Sequence, residues 1–330
     1  MDFLMNMLRA IAEIRNPVFD FFFETITHLG EETLFLVISI VFFWCINKRE
    51  GYFILLTGLF GTLINQAAKL AFRIPRPWVI DESFQPVGNS KAEAGGYSFP
   101  SGHTQNISTT LGAITAYKPN KWKTVILTTV IALVAFSRMY LGVHTLLDVS
   151  VSLVVGLLLI LGMRKLFIDE GKFNRALPFI VLAATLMSGG FLVFVLLVKG
   201  DSTLDAENFE SALKNACTLL GCTIGLIVVW FVDTRYTKFE TAGRWYAQVI
   251  KAVLGFAIVL GIKSGLSAPL TLLFGGNAFA ARILRYFLIV VFAGAVWPLT
   301  FKWFAGLKIE FFEKITNFFV KKAKTNETKN

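Results

Sequence analysis

Long apolar segments recur along almost the whole chain and are separated by short polar or charged loops. A helix needs about 20 mostly apolar residues to cross a hydrocarbon core about 30 Å thick. The pattern predicts nine spans, at residues 31–47, 52–74, 103–118, 123–142, 144–163, 176–198, 212–232, 246–264 and 282–303. Because a spanning backbone must satisfy its own hydrogen bonds, we expect an all-α, polytopic transmembrane bundle.

The first 30 residues follow a different pattern, in which apolar and charged positions alternate at helical spacing over residues 3–28. The dipeptide Asn16-Pro17 is a break signal within this segment. We therefore predict an interfacial helix here in preference to a tenth span.

Composition agrees with a membrane protein, since 55% of the 330 residues are hydrophobic and only 16% are charged. The net charge of +10 alone would also fit a nucleic-acid-binding protein. However, the basic residues lie in short loops and in the C-terminal tail, where they set topology and contact anionic lipid headgroups. We expect membrane lipids, and not nucleic acid, as partners.

Basic residues in short loops predict the orientation, because such loops are retained in the cytoplasm. Lys48, Arg49, Lys121 and Lys123 fall on one side of the predicted bundle, together with the Lys-rich C-terminus. The acidic N-terminal segment and the acidic loop at 200–210 fall on the other side. We predict a multi-pass protein of the cytoplasmic membrane with its N-terminus outside and its C-terminus in the cytoplasm.

Three clusters place ionisable groups beside spans, where such groups are costly and are therefore candidates for function. In the first, Lys69 and Arg76 lie seven residues apart at the outer end of the second predicted span. Two helical turns separate them, so both can point the same way, and Pro75 and Pro77 stop the helix. One such lysine equally fits a side chain that snorkels to the interface.

The second cluster, Pro100-Ser101-Gly102-His103, opens the third predicted span. A helix N-terminus offers unpaired backbone N–H groups and the positive end of the helix dipole, and so binds anions. The same residues are ordinary turn and cap chemistry, so this cluster alone is a weak signal.

The third cluster, between the fourth and fifth spans, contains Ser137, Arg138, His144 and Asp148. His144 and Asp148 are four residues apart at a predicted helix start, so one helix face carries both. The carboxylate can accept a hydrogen bond from one ring nitrogen while the other nitrogen acts as a nucleophile. A lone histidine near an interface is more often structural, but this one has a carboxylate and an arginine nearby.

On the nine-span prediction, the three clusters reach the same side of the membrane. Three cations, a helix N-terminus and two histidines are suited to phosphoryl transfer by charge stabilisation and general acid catalysis. The sequence offers no metal cage, because its only histidines are His28, His103 and His144 and no paired carboxylates accompany the clusters. We therefore expect neither a metal nor a cofactor.

Together the clusters resemble the signature of the type 2 phosphatidic acid phosphatase (PAP2) superfamily, which is Lys-x6-Arg-Pro, Pro-Ser-Gly-His and Ser-Arg-x5-His-x3-Asp. Its three parts begin here at Lys69, Pro100 and Ser137, with 22 and 33 residues between them, and every position is filled. A match of three parts in the right order is far more specific than a match of any one part.

The resemblance implies a helical bundle with its catalytic residues at one membrane face and a covalent phosphohistidine intermediate. His144 would attack phosphorus, Asp148 would orient His144, and His103 would protonate the leaving oxygen. Phosphate oxygens would bind the side chains of Lys69, Arg76 and Arg138, the hydroxyl and N–H of Ser101, and the N–H of Gly102.

By the same resemblance, the chain is similar to bacterial-type members with a C-terminal multi-helix extension. We expect an interfacial helix region at 1–30, a catalytic core of six helices at 31–198, additional transmembrane helices at 199–305, and a basic cytoplasmic tail at 306–330.

The function expected is metal-independent hydrolysis of a lipid phosphate or pyrophosphate monoester on the extracytoplasmic face. Two alternatives stay open: transfer of the phosphate to another lipid or glycan, and a transport or partner-binding role for residues 176–303. The sequence leaves the lipid, a soluble sugar phosphate as substrate, and the oligomeric state undetermined.

Overall fold

The computed structural model of the chain describes residues 1–310 and Phe312, and all regular elements in this part are helical. The first seven α-helices are α1 (Asp2–Ala12), α2 (Pro17–Thr27), α3 (Glu32–Val41), α4 (Lys48–Phe72), α5 (Pro77–Ile80), α6 (Ser90–Glu93) and α7 (Gly102–Tyr117). The remaining eight are α8 (Lys121–Tyr140), α9 (Leu146–Ile168), α10 (Glu170–Leu197), α11 (Ala206–Val232), α12 (Trp245–Gly265), α13 (Ser267–Leu273), α14 (Ala278–Val291) and α15 (Phe301–Gly306).

Within the described residues, seven helical segments are long and apolar enough to cross a membrane. They are Lys48–Ile80, Lys121–Tyr140, Leu146–Ile168, Glu170–Leu197, Ala206–Thr237, Trp245–Gly265 and Ala278–Gly306. The segments Pro17–Gly30 and Glu32–Ile46, which are bent by 51°, make an eighth if the pair is one span. The all-helical, multi-pass architecture predicted from the sequence is confirmed, whereas the number of nine spans stays a prediction.

The difference in span number comes mainly from α7, which was predicted to be a span at 103–118. It has 16 residues and is therefore about 24 Å long at 1.5 Å per residue, shorter than the hydrocarbon core. Many of its buried side chains are polar, among them Thr104, Gln105 and Ser108. Helix α7 is thus an inner helix of the bundle.

The predicted break near residue 16 is present, and it separates α1 from α2. The Asn16 side chain accepts hydrogen bonds from the N–H groups of Val18 and Phe19, both at 3.1 Å, and Pro17 occupies the first helical position. A 3₁₀ turn, His28–Gly30, follows α2 and leads into the bent pair. The interfacial position of this N-terminal segment stays a prediction.

Helix α7 packs against α4, α8 and α9, and glycines in α4 and α9 allow close approaches. A Cβ added at Gly156 of α9 would lie 2.4 Å from Ser108 Oγ, and one at Gly61 of α4 would lie 3.1 Å from Gln105 Nε2. Small residues at helix contacts let backbones come close in membrane bundles. This packing holds the start of α7 beside the ends of α4 and α9.

The later helices join this core through α11, which packs on both α10 and α14. Two ion pairs bridge the halves, Lys48 Nζ to Asp233 Oδ2 at 2.9 Å and Arg73 Nη1 to Asp201 Oδ2 at 2.7 Å. The basic tail is predicted at 306–330. Of this range, only 306–310 and Phe312 are among the described residues.

Candidate active site

Lys69 and Arg76 reach the site from different elements, so the prediction that they share one helix face was wrong. Helix α4 ends at Phe72 because Arg73 adopts a left-handed conformation, with φ of 49°. The chain then runs without regular structure to Arg76, which precedes the short helix α5. The two cations nevertheless come together, since both contact the loop at residues 95–97.

The Arg76 guanidinium is buried and nearly saturated with hydrogen bonds. Its Nε donates to Gly96 O at 3.0 Å, and its Nη2 donates to Gly95 O at 2.7 Å. Its Nη1 donates to Val143 O at 2.9 Å and to His144 Nε2 at 3.0 Å. Because arginine has only donors, His144 Nε2 must be the acceptor and carry the lone pair.

His144 lies in the loop between α8 and α9, two residues before α9 begins. The expectation that His144 and Asp148 share a helix face is therefore corrected, because Thr145 is the N-cap of that helix. His144 Nδ1 is still 3.4 Å from Asp148 Oδ2, which is longer than an ordinary N–H···O hydrogen bond. The neutral ring thus has its Nδ1–H towards the carboxylate and its Nε2 lone pair towards the cations.

Asp148 is the third residue of α9 and has two strong donors of its own. Its Oδ2 accepts from Ser98 Oγ at 2.6 Å and from the Thr145 N–H at 2.7 Å. The Thr145 hydroxyl in turn accepts from the Asp148 N–H, which completes a capping box. The carboxylate therefore fixes the His144 loop to the start of α9 as well as facing the imidazole.

Ser101 is the N-cap of α7, as the sequence predicted for a helix start. Its hydroxyl oxygen accepts from Thr104 Oγ1 at 3.0 Å, and its backbone N–H donates to Asp148 O at 3.1 Å. The Ser101 N–H is therefore committed within the fold. Gly102 is the first residue of α7, where an N–H has no acceptor inside its own helix.

Arg138, near the end of α8, supports the same loop from the other side. Its carbonyl oxygen accepts from the N–H groups of Val143 and His144 at 3.1 and 3.2 Å. Its Nη1 donates to Thr27 Oγ1 of α2 at 2.6 Å, and its Nε is buried without a hydrogen-bond partner among the described residues.

His103 occupies the second position of α7 and faces the same centre. It lies within electrostatic reach of the other ionisable residues of the cluster, namely Arg138, His144, Arg76 and Lys69. Its backbone is covered by the 3₁₀ turn, since a Cβ added at Gly30 would lie 2.9 Å from His103 Cβ.

Lys69 completes the group of cations, and its Nζ donates to Tyr97 O. Three consecutive carbonyls, those of Gly95, Gly96 and Tyr97, thus contact Lys69 and Arg76. All eight residues predicted for the site are brought to one end of the bundle. Their buried members, with exposed fractions in parentheses, are Ser101 (0%), Asp148 (1%), His144 (2%), Arg138 (4%) and Arg76 (6%).

Burial and the neighbouring charges act on His144 in the same direction. Burial lowers the pKa of the imidazole well below its ordinary value of 6.5, and the positive charges of Arg76, Arg138 and Lys69 lower that pKa further. The ring is therefore neutral at pH 7, which is the form that has a lone pair for attack on an electrophile.

Several residues that hold the site together were missed from the sequence. Ser98 and Thr27 anchor Asp148 and Arg138, yet nothing around either residue marks it in the sequence. Thr145 had a usable signal, because a threonine three residues before Asp148 is the spacing of a capping box. The carbonyls at 95–97 act through the backbone, so residue type does not reveal them.

In the part of the chain that the structure describes, no group of three or more His, Cys, Asp or Glu side chains is placed to hold a metal ion. The charged partners available to an anion at this site are Lys69, Arg76 and Arg138. Fixed cations and donors of this kind stabilise negative charge that develops on oxygen.

Comparison with known proteins agrees with this arrangement. Residues 50–172 match the PAP2 superfamily, and residues 217–309 match the description "PAP2 superfamily phosphatase, transmembrane extension". Over 162 residues the chain is 31% identical to a lipid A 4'-phosphatase of Porphyromonas gingivalis, covering 46% of this chain and 68% of the relative. The chain belongs to the PAP2 superfamily.

A second PAP2 relative is the phosphatidylglycerophosphatase B of Bacillus subtilis, to which this chain is 30% identical over 166 residues. That match covers 46% of this chain and 76% of the relative. No solved structure matches the chain significantly. All the motif residues from Lys69 to Asp148 lie inside the first matched region. The chain is thus a membrane phosphatase of the PAP2 superfamily, in the class of phosphoric monoester hydrolases.

Proposed function

We propose that this PAP2 phosphatase hydrolyses a lipid phosphate or pyrophosphate monoester through a phosphohistidine formed on His144. The observation that carries the proposal is the setting of the His144 ring, with Nε2 on Arg76 and Nδ1 beside Asp148. A buried neutral imidazole, facing a carboxylate on one side and cations on the other, is suited to attack a phosphate group.

In the first step, phosphate oxygens bind Lys69, Arg76 and Arg138 with help from the Ser101 hydroxyl and the Gly102 N–H. His144 Nε2 then forms a bond to phosphorus while the ester P–O bond breaks. Burial and the neighbouring positive charges lower the pKa of the His103 imidazole, and the negative charge of the bound phosphate opposes this effect. His103 therefore binds a proton together with the substrate and gives it to the departing oxygen, which leaves as an alcohol.

In the second step, water replaces the alcohol. His103, now neutral, takes a proton from the water as its oxygen attacks phosphorus. The P–N bond to His144 breaks, inorganic phosphate leaves, and His103 is again protonated for the next substrate. No step requires a metal.

A lipid substrate is favoured by the membrane-embedded fold and by the relatives, which are named as lipid A and phosphatidylglycerophosphate phosphatases. We further propose that the site faces the extracytoplasmic side. At the end of the bundle away from the site, Tyr117 Oη donates to Asn47 Oδ1 at 3.3 Å and Arg49 Nη1 donates to Ile168 O at 3.3 Å. The basic loops therefore meet at one end, which the positive-inside rule assigns to the cytoplasm.

The decisive experiment measures inorganic phosphate released by the purified protein from phosphatidate, phosphatidylglycerophosphate, undecaprenyl pyrophosphate, a sphingoid phosphate and glucose 6-phosphate. We expect release from at least one lipid, none from the His144→Ala variant, and an acid-labile phosphoenzyme only in the wild type. Consumption of lipid phosphate without free phosphate would instead favour transfer to another lipid or glycan.

Metal independence is tested in the same assay. Activity should persist in excess chelator and should be blocked by vanadate, which mimics the trigonal-bipyramidal transition state of phosphoryl transfer. Activity that is lost in chelator and restored by magnesium would contradict the mechanism.

A further inference from the structure

A polar cavity of about 380 Å³ lies beside the site and takes no part in the mechanism above. It is formed by the end of α2, the 3₁₀ turn after it, and the loop around α6. Its lining consists of Glu24, Thr27, His28, Gly88, Asn89, Ser90 and Glu93.

Two contacts connect this cavity with the proposed catalytic residues. Thr27 is part of its lining and accepts a hydrogen bond from Arg138 Nη1 at 2.6 Å. The 3₁₀ turn that contributes His28 also covers His103, and Asn106 Nδ2 fixes this turn by donating to Gly30 O at 3.2 Å. The same turn therefore contacts both the cavity and His103, which is proposed to protonate the leaving oxygen.

The chemistry of the lining selects between possible leaving groups. Glu24 and Glu93 have no hydrogen-bond or ion-pair partner among the described side chains, and ionised carboxylates only accept hydrogen bonds. Glu24 is held against the backbone of Gly88, where an added Cβ would lie 1.8 Å from Glu24 Oε1. Gly88 also has a positive φ of 51°, so a larger residue there is disfavoured by both space and conformation.

A buried group next to the cavity, joined to it through Thr27, also lacks a partner. Arg138 is 4% exposed, lies within electrostatic reach of Glu93, and has its Nε buried without a partner in the described part of the chain. A phosphate on Arg138 with a donor-bearing leaving group beside it would give both Arg138 and the carboxylates a partner. A leaving group with a second anion would instead be repelled by Glu24 and Glu93.

We propose that this cavity binds the leaving group of the substrate and selects phosphomonoesters whose alcohol carries hydrogen-bond donors, an ammonium or hydroxyl groups, close to the ester. Glu24 and Glu93 are the specificity residues. The proposal rests on the proposed function, because it assumes phosphate on Arg138 and departure past His103.

The test compares kcat/KM of the wild type for three esters with long apolar tails. Sphingosine 1-phosphate has an ammonium and a hydroxyl beside the ester, ceramide 1-phosphate has an amide and a hydroxyl, and hexadecyl phosphate has neither. We expect both donor-bearing esters to exceed hexadecyl phosphate by about tenfold or more, the usual effect of a hydrogen bond to a charged group. A further excess of the sphingosine ester would identify the ammonium as the recognised donor.

Variants then locate the preference. Glu24→Gln and Glu93→Gln should each lower the ratio of kcat/KM for sphingosine 1-phosphate to that for hexadecyl phosphate by about tenfold. Glu82→Gln, on an exposed residue of the same loop region that does not line the cavity, should leave this ratio unchanged. The ratio is internal to each variant, so a partly misfolded preparation lowers both values and does not alter it.

The outcomes separate the two proposals. Equal kcat/KM of the wild type for all three esters, or ratios unaffected by either glutamine variant, would overturn the cavity proposal and leave the phosphatase proposal standing. No phosphate release by the wild type from any lipid phosphate would overturn the function itself.

Discussion

At the residue scale, Asp148 has two roles that the geometry separates. Its Oδ2 is held by Ser98 and Thr145 at 2.6 and 2.7 Å, which fixes the start of α9, and it faces His144 Nδ1 at 3.4 Å. A carboxylate that is already bonded to two donors does not need to move when the imidazole gains charge. It is therefore preorganised to stabilise that charge.

The division of labour between the histidines gives the first prediction. His103→Ala should slow hydrolysis of an alkyl phosphate by about 10²–10⁴-fold, the usual contribution of general acid catalysis. The effect should be much smaller for p-nitrophenyl phosphate, whose leaving group needs no proton. Steady-state kinetics on both esters check this, and an equal loss on both would show that His103 is not the acid.

The buried environment of His144 gives a prediction about pH. Since burial and nearby cations lower the pKa of His144 below 6.5, this proposed nucleophile stays neutral as pH falls through 6.5 and becomes protonated only at lower pH. The acid limb of kcat/KM should therefore lie below pH 6.5. Because the phosphate of the substrate itself titrates near pH 6, the profile should be measured with two esters of different second pKa. An acid limb at or above pH 6.5 that is the same for both esters would belong to the enzyme and would contradict a lowered pKa of His144.

The eight residues that the structure brings together were predictable because each motif places ionisable or helix-start residues beside a span; their catalytic roles stay a prediction. The supporting residues were less accessible, since Ser98 and Thr27 act through single hydrogen bonds across 50 and 111 residues of sequence. Such long-range contacts are determined by tertiary packing, which a one-dimensional pattern does not specify.

At the element scale, the segment Gly95-Gly96-Tyr97 is the most unusual part of the site, because its carbonyls contact the two cations from the first motif. Gly96 has a positive φ of 72°, whereas Gly95 does not, and a Cβ at either position would meet no atom within 4 Å. The two glycines therefore differ in backbone conformation and not in available space.

This difference allows a matched pair of variants. Gly96→Ala should destabilise the observed loop conformation by about 1 kcal/mol, because a residue with a Cβ is strained at positive φ. Since the loop carbonyls and a phosphate mimic use the same cations, vanadate should inhibit Gly96→Ala at an inhibition constant about fivefold lower than that of the wild type. Gly95→Ala is the control, and vanadate should inhibit it with the same constant as the wild type. Equal changes of this constant in both variants would contradict competition between the loop carbonyls and vanadate.

Helix boundaries explain which element predictions succeeded. The break at Asn16-Pro17 was predicted because a cap and a proline have local causes. The predicted span ends at residue 74, close to the end of α4 at Phe72, but the left-handed Arg73 that takes Arg76 off this helix was not predicted, because a non-glycine residue at positive φ is rare. The span predicted at 103–118 coincides with α7, whose buried side chains are partly polar and whose 16 residues are short for a span, so its crossing of the membrane stays a prediction.

At the scale of the whole molecule, the C-terminal helices are joined to the catalytic part by a partly buried ion pair. Asp233 is 7% exposed and accepts from Lys48 Nζ at 2.9 and 3.1 Å and from the Phe239 N–H at 3.3 Å.

Asp233→Asn should lower the free energy of unfolding by about 1–3 kcal/mol, because Lys48 loses its countercharge. The measurement is the thermal unfolding temperature in detergent. Glu170→Gln is the control, because Glu170 is exposed and its Oε2 lies 3.8 Å from Arg49 Nη2. A comparable loss of stability in this variant would contradict the role given to Asp233.

Orientation in the membrane can be tested across the same molecule. In a background without native cysteines, a cysteine at Lys91 should react with an impermeant thiol reagent from the outside. A cysteine at Lys121 should react only after the membrane is opened. Both positions are exposed in the structure, so protection does not arise from burial. Reversed accessibility would move the chemistry to the cytoplasm.

The carbonyls at 95–97 also bear on how the enzyme finishes a catalytic cycle. Hydrolysis leaves a phosphate dianion among three cations, and tightly held product is a common limit on turnover. In the structure, Arg76 and Lys69 donate to three neutral backbone oxygens, so neither cation lies in a low-dielectric surrounding without an acceptor. Under the proposed mechanism these carbonyls replace the oxygens of the departing dianion, so inorganic phosphate should be a weak product inhibitor even though the proposed transition state is held tightly.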